Sequence, residues 1–103
     1  MRVAYAPAGL RTVVADEPQV IVSRPAIVYL AVIQAPGREG LWQLYDAASL
    51  DDCWITSRIA CIPAGSPQNV RGGLLLPVWS MSVRYGLTLG SVPAGGSAIF
   101  KAS

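Results

Sequence analysis

Among the residues able to do chemistry, the carboxylates come first. Asp16-Glu17 and Asp51-Asp52 are the two adjacent acidic pairs. A glycosidase-type pair needs two carboxyl groups facing one cleft at a fixed separation, and neighbouring acids in a Pro- or Ser-rich turn are typically solvated turn residues instead. Asp46, Asp51 and Asp52 offer the oxygen ligands that calcium takes, but their spacing does not match an EF-hand loop and no Gly stands at its centre. The chain has no His, which removes the usual general base, the Ser-His and Cys-His nucleophile pairs and the commonest zinc ligand. Ser57 beside Arg58, and Cys53 beside Asp52, have no base to activate a nucleophile. Gly37-Arg38-Glu39-Gly40 reads as a tight turn, and the Gly65 to Gly73 segment lacks the Gly-Lys-Ser/Thr ending of a phosphate loop. The expectation is therefore a protein without catalytic residues, metal or cofactor.

Charge narrows the partners. Seven Arg and one Lys against six acids give a net charge of +2, and the basic residues stand singly at 2, 11, 24, 38, 58, 71, 84 and 101. Nucleic-acid binding calls for clustered Lys and Arg, often with interleaved aromatics for stacking, so it is not expected. Only 14% of residues are charged, below the roughly 25% of an average soluble domain, which points to an exterior that meets other protein. The preference for Arg over Lys suits interfaces, where the guanidinium fork pairs bidentately and stacks on rings; a GC-rich genome accounts for it equally well. The longest apolar run, Ala26 to Ile33, falls far short of the roughly twenty residues of a membrane-spanning helix. Pro7, Gly9 and Arg11 interrupt any signal-peptide core at the start. A soluble protein of the reducing cytoplasm is expected, with no membrane partner. Cys53 and Cys61 are not a disulfide framework; burial as small apolar residues is the favoured reading, and pairing across a turn stays open.

The elements that must position these residues are strands. Short segments rich in Val, Ile, Leu and aromatics alternate with Pro/Gly punctuation. The predicted strands are Arg11 to Ala15, Gln19 to Ser23, Ala26 to Gln34, Gly40 to Asp46, Trp54 to Ile62, Gly73 to Ser80, Leu87 to Val92 and Ser97 to Ala102. From Trp79 to Leu89 the apolar residues fall on odd positions, the period of a strand; one bent strand and two strands joined near Tyr85-Gly86 both fit. Ala26 to Ile33 shows no alternation, as expected of a strand covered on one face by the opposite sheet and on the other by a neighbouring subunit. Its β-branched content and its flanking Pro25 and Pro36 argue against a buried helix. Helical turning is expected at most within Leu44 to Asp52. Eight strands at this spacing predict an all-β fold, a β-sandwich of jelly-roll-like form with about eight short antiparallel strands, over residues 11–103. Residues 1–10 read either as an arm lying on a partner or as a frayed terminus.

Three Trp in so small a domain exceed what its core readily hides. Trp54, at a strand entry beside Asp51-Asp52, is the first choice for an interface anchor, where Trp, Tyr and Arg concentrate binding energy. Core burial is expected for Trp42 and Trp79. The segment Gly40-Leu41-Trp42-Gln43-Leu44-Tyr45-Asp46-Ala47-Ala48-Ser49, followed by Ile62-Pro63-Ala64-Gly65, Tyr85-Gly86-Leu87 and a Gly-rich turn before a last strand from Gly95 to Ser103, resembles the strand-and-turn pattern of small structural proteins of tailed-bacteriophage virions. The likeness covers roughly residues 26 to 103. It departs from the pattern in the Trp54 segment, in the Pro63 to Gly73 loop and in the N-terminal arm. The resemblance implies a capsid decoration or cement protein, assembled into the virion in the host cytoplasm, that bridges major capsid subunits. A tail, fibre or head-tail connector component is the close alternative. A homo-oligomer, a trimer or dimer, is expected, with Tyr5, Leu10, Arg24, Trp54, Arg58, Arg71 and Arg84 at protein interfaces. An alternative of another class is a carbohydrate-binding module using Trp54 in an aromatic platform.

Overall fold

The computed structural model describes residues 11–64 and 79–102. Among these described residues are eight strands: β1 Arg11–Ala15, β2 Gln19–Val22, β3 Ala26–Gln34, β4 Leu41–Asp46, β5 Arg58–Pro63, β6 Trp79–Val83, β7 Leu87–Ser91 and β8 Ser97–Ala102. They form two antiparallel sheets of order β1-β8-β3-β6 and β2-β7-β4-β5. The pairs β1·β8, β2·β7, β3·β6 and β4·β5 are those of one long ribbon, β1 to β4 running against β8 to β5, wrapped into two layers. The cross-pairs β3·β8 and β4·β7 then close each sheet. This is the jelly roll, a double-sheet solution that shortens exposed sheet edges.

The sequence dictates which side of each strand faces inward. In β8, Ala98, Phe100 and Ala102 are buried while Ser97, Ile99 and Lys101 are half-buried on the other face, the period-two pattern of a strand covered on one face. Phe100 sits between Val13 of β1 and Leu30 of β3. Together with Val28 and Ile33 it opposes Trp42, Leu44, Ile62, Leu87 and Leu89 of the second sheet in one continuous apolar core. At roughly 25 cal/mol per Å² of apolar surface removed from water, such burial is the main force holding the layers together. The lack of alternation in β3 has a local cause. Leu30 pairs with Phe100 and Val32 with Ile99, so Ala31 is a bulge, and the buried positions change parity from Val28 and Leu30 to Ile33. On the outer face of β3, Ile27 is 51% exposed and Tyr29 half-buried.

Trp42 is buried, as the sequence leads one to expect, but among the described residues its indole N–H finds no hydrogen-bond partner. An orphaned buried donor costs roughly 1–3 kcal/mol, comparable to what the smaller Phe ring would lose in packing. A Trp42→Phe substitution is therefore expected to change stability by less than about 1 kcal/mol, against roughly 3–5 kcal/mol for Trp42→Ala, as read from urea midpoints. Equal losses in both variants would show that the indole N–H contributes a bond. Trp79 lies in β6, and its side chain is outside the described residues.

Beyond shifts of a residue at several strand ends, β6 runs on to Val83 where the sequence led one to expect an end at Ser80, and one strand starts late. The strand expected from Trp54 begins at Arg58, because Ile55–Ser57 forms a single 3₁₀ turn. A second such turn, Leu50–Asp52, is the helical content of the Leu44 to Asp52 stretch, whose first residues belong to β4. The Trp79 to Leu89 stretch is two strands in different sheets, joined by Arg84-Tyr85-Gly86. Residues 73–78 of the strand expected from Gly73, and the 1–10 arm, lie outside the described residues.

Candidate functional site

The ribbon topology gathers the β2–β3 turn, the β4–β5 connection and the β6–β7 turn at one end of the sandwich. A network centred on Asp46 and Gly86 locks them together. The Asp46 carboxylate, at the end of β4, accepts the backbone N–H of Arg84 (3.0 Å to Oδ1, 3.1 Å to Oδ2) and of Tyr85 (2.9 Å to Oδ1). The Ala47 N–H donates to the Gly86 carbonyl at 3.1 Å, and the fully buried Thr88 hydroxyl donates to the Ala47 carbonyl at 2.9 Å. Gly86 lies so close to the β2–β3 turn that a Cβ there would stand 2.3 Å from the Val22 carbonyl oxygen and 3.1 Å from the Ser23 Cα. Charge-assisted bonds to backbone N–H groups are stronger than neutral ones, so Asp46 acts first as a structural clasp. Behind it on the outer face of the second sheet, the Tyr45 ring packs over Gly90, where a Cβ would come within 2.5 Å of the ring. An aromatic laid over a strand glycine restores the packing the glycine lacks.

The β4–β5 connection is held by its own side chains. Ser49 Oγ donates to Asp52 Oδ2 at 3.0 Å. Ser57 Oγ accepts the Trp54 N–H at 3.1 Å and lies within bonding distance of the Asp52 (3.1 Å) and Trp54 (2.9 Å) carbonyls, its one proton serving one of them at a time. Local hydroxyl-to-backbone bonding of this kind competes with strand pairing, which is why β5 starts after Ser57. The loop's own backbone bonds, Cys53 N–H to Leu50 O at 3.3 Å and Ser57 N–H to Trp54 O at 2.9 Å, complete it. Beside its exposed Asp51, Asp52 and Thr56, the loop presents apolar side chains to solvent. Trp54 is 66% exposed and Ile55 76%, with Leu50 and Ile59 also exposed; Tyr85, at 65%, stands on the adjoining turn.

Beside these residues a cavity of about 290 Å³ opens, lined by Asp46, Ala47, Ala48, Asp52, Ser57 and Tyr85. Its ionisable acidic lining is the Asp46 and Asp52 carboxylates. Among the described residues, no group of three His, Cys, Asp or Glu is arranged to hold a metal ion. Both cysteines are unpaired. Partial burial, with the Asp52 charge adding to it, pushes the Cys53 thiol above its ordinary range, so the thiol stays protonated at neutral pH. Cys61 corrects the expectation of burial. The register Trp42↔Ile62 turns Ile62 inward, so its neighbour Cys61 is exposed on the outside of β5.

Of the residues expected at interfaces, the structure places four at this one end. Arg24 lies in the β2–β3 turn, Trp54 in the β4–β5 connection, Arg58 at the start of β5 and Arg84 in the β6–β7 turn, all four exposed. Tyr5, Leu10 and Arg71 lie outside the described residues. Sequence reading missed Asp46 as a clasp and Tyr85 as an exposed ring, which the period-two pattern had grouped with the core. Asp46 bonds a turn 38 residues away, and no local spacing signals such a bond. Among the described residues, no helix is long and apolar enough to cross a membrane. Comparisons with protein-family models, with curated proteins and with solved structures find no match.

Proposed function

We propose that the chain is a structural, protein-binding component of a tailed-bacteriophage virion, a capsid decoration or cement protein that bridges major capsid subunits, with a tail or fibre position as the alternative. The observation that carries a binding role is the apolar end of the sandwich. Trp54, Ile55, Leu50 and Tyr85 are exposed together on loops that are internally hydrogen-bonded and clasped to the β-scaffold. Large apolar side chains held rigidly in water are characteristic of interaction sites, and Trp and Tyr are the residues that most often dominate binding energy. A preordered loop also loses little further entropy on docking. Jelly rolls occur among viral capsid domains as well as lectins and cupins, so the fold accommodates the reading without selecting it. Self-association as a trimer or dimer belongs to the same proposal, because repeated modest contacts on a symmetric shell multiply through avidity.

The test is occupancy in purified particles of the phage whose genome encodes the chain. The protein is expected in washed virions at a fixed ratio to the major capsid protein. Replacing Trp54 and Ile55 together by Ser, which removes no core contact, is expected to weaken attachment about 30-fold or more, the loss of a single aromatic hot spot. Absence of the chain from particles would overturn the proposal, and full occupancy by the double variant would remove this end as the contact surface.

A further inference from the structure

We infer that the cavity between the β4–β5 connection and the β6–β7 turn receives an arginine side chain presented by another protein. The inference rests on the reading that this end of the sandwich meets protein, and it specifies what the partner brings.

Size, polarity and charge select the occupant together. At about 290 Å³ the cavity sits at the lower edge of small-molecule pockets, which run from roughly 300 to 1,000 Å³, so one long side chain suits it better than a cofactor. Its walls are mostly apolar, from Ala47, Ala48 and the Tyr85 ring. Such walls suit a methylene stem, which long basic side chains bury while keeping a charged head at the polar end. The polar lining is two carboxylates and one hydroxyl, Asp46, Asp52 and Ser57. The Ser57 hydroxyl is committed to the loop backbone. Asp46 spends three contacts on the Arg84 and Tyr85 N–H groups, whereas Asp52 uses one oxygen for Ser49 and leaves the other open. Among the described residues, no ion pair joins Asp46 or Asp52 to Arg58 or Arg84, although both arginines are exposed at this end. The cavity thus combines two carboxylates, an apolar wall and an exposed tyrosine. A guanidinium answers all three, since it forks onto carboxylates and stacks on rings as an ammonium does not.

Backbone-amide NMR of the intact chain, titrated with N-acetyl-arginine N-methylamide, tests this. Saturating shifts are expected at residues 46–57 and 84–86. The neutral citrulline analogue is expected to bind about fivefold more weakly or worse, the loss of one exposed ion pair and one cation–π contact. Asp52→Asn, whose amide oxygen still accepts the Ser49 hydroxyl, is expected to weaken binding about threefold with unchanged shifts elsewhere. Tyr85→Leu provides a second variant at an exposed position, expected to lose a similar factor. Equal binding of citrulline, absence of saturation, or saturation of the same amides by methyl α-glucoside would overturn the inference. So would shifts at these amides on raising protein concentration alone, which would make the occupant a second copy. A failed titration with normal particle occupancy removes only the arginine cavity, while a saturating titration for a chain absent from particles removes only the virion role.

Discussion

Replacing Gly86 by alanine is expected to destabilise the protein by about 3 kcal/mol or more, the scale reached when backbone strain and a steric clash combine. The added Cβ would sit 2.3 Å from the Val22 carbonyl oxygen and 2.9 Å from that of Ala47, far inside van der Waals contact. Both neighbours are backbone, so neither can swing away as a side chain tip would. The φ of 150° at Gly86 adds a conformation that L-residues seldom adopt. Relief requires the β6–β7 turn to lift from β4, which would break the Asp46 clasp and the Ala47 N–H bond to the Gly86 carbonyl. The same movement would open the apolar end, so the variant is expected to lose stability and partner binding together. Urea unfolding followed by circular dichroism measures the first. A loss under about 1 kcal/mol, the ordinary cost of a tolerated substitution, would show that the three turns are not packed as closely as described.

Phe100→Ala is expected to cost roughly 3–5 kcal/mol, the usual range for emptying a core aromatic site. Phe100 is fully buried in a strand that pairs on both sides, with β1 and with β3, and its inward neighbours Ala98 and Ala102 are small. The alanines on either side have no reach to fill the void, so collapse around it is limited and the cavity term stays large. Against a total stability of roughly 5–15 kcal/mol for a domain, this is a major share. Phe100→Leu, which keeps most of the volume, is expected to lose less than half as much. Similar losses in the two variants would mean that ring shape, rather than filled volume, sets the stability of the first sheet.

The strands were legible because their signal is local. β1, β3 and β8 coincide with the segments expected from β-branched content and Pro/Gly breaks, and the others differ by a residue or a few at their ends. The largest boundary error, Trp54 to Ser57, arose where one hydroxyl changes the outcome. Ser57 bonds the backbone around it and converts an apolar, strand-like stretch into a 3₁₀ turn. Exposure was harder to read than secondary structure. Ile55 and Tyr85 look like core residues by type and are among the most exposed side chains, because the loops carrying them are satisfied internally and do not need to bury an apolar face. Trp54 was singled out from sequence because three Trp overfill a small core. The cavity was invisible there, since its lining comes from residues 46–57 and Tyr85, brought together only when the ribbon folds over.

That ribbon also governs when the domain can form. Arg11 pairs with Ala102, and β8 is the strand that joins β1 to β3. Until residues 97–102 have left the ribosome, β1 has no partner in its sheet and β3 lacks its neighbour on one side, so the first sheet cannot close before β8 has emerged. Pairings of such long sequence separation fold in milliseconds to seconds rather than microseconds. Throughout that interval the apolar faces of β1 and β3 stay open to other chains, an exposure that nascent helical bundles with local contacts avoid.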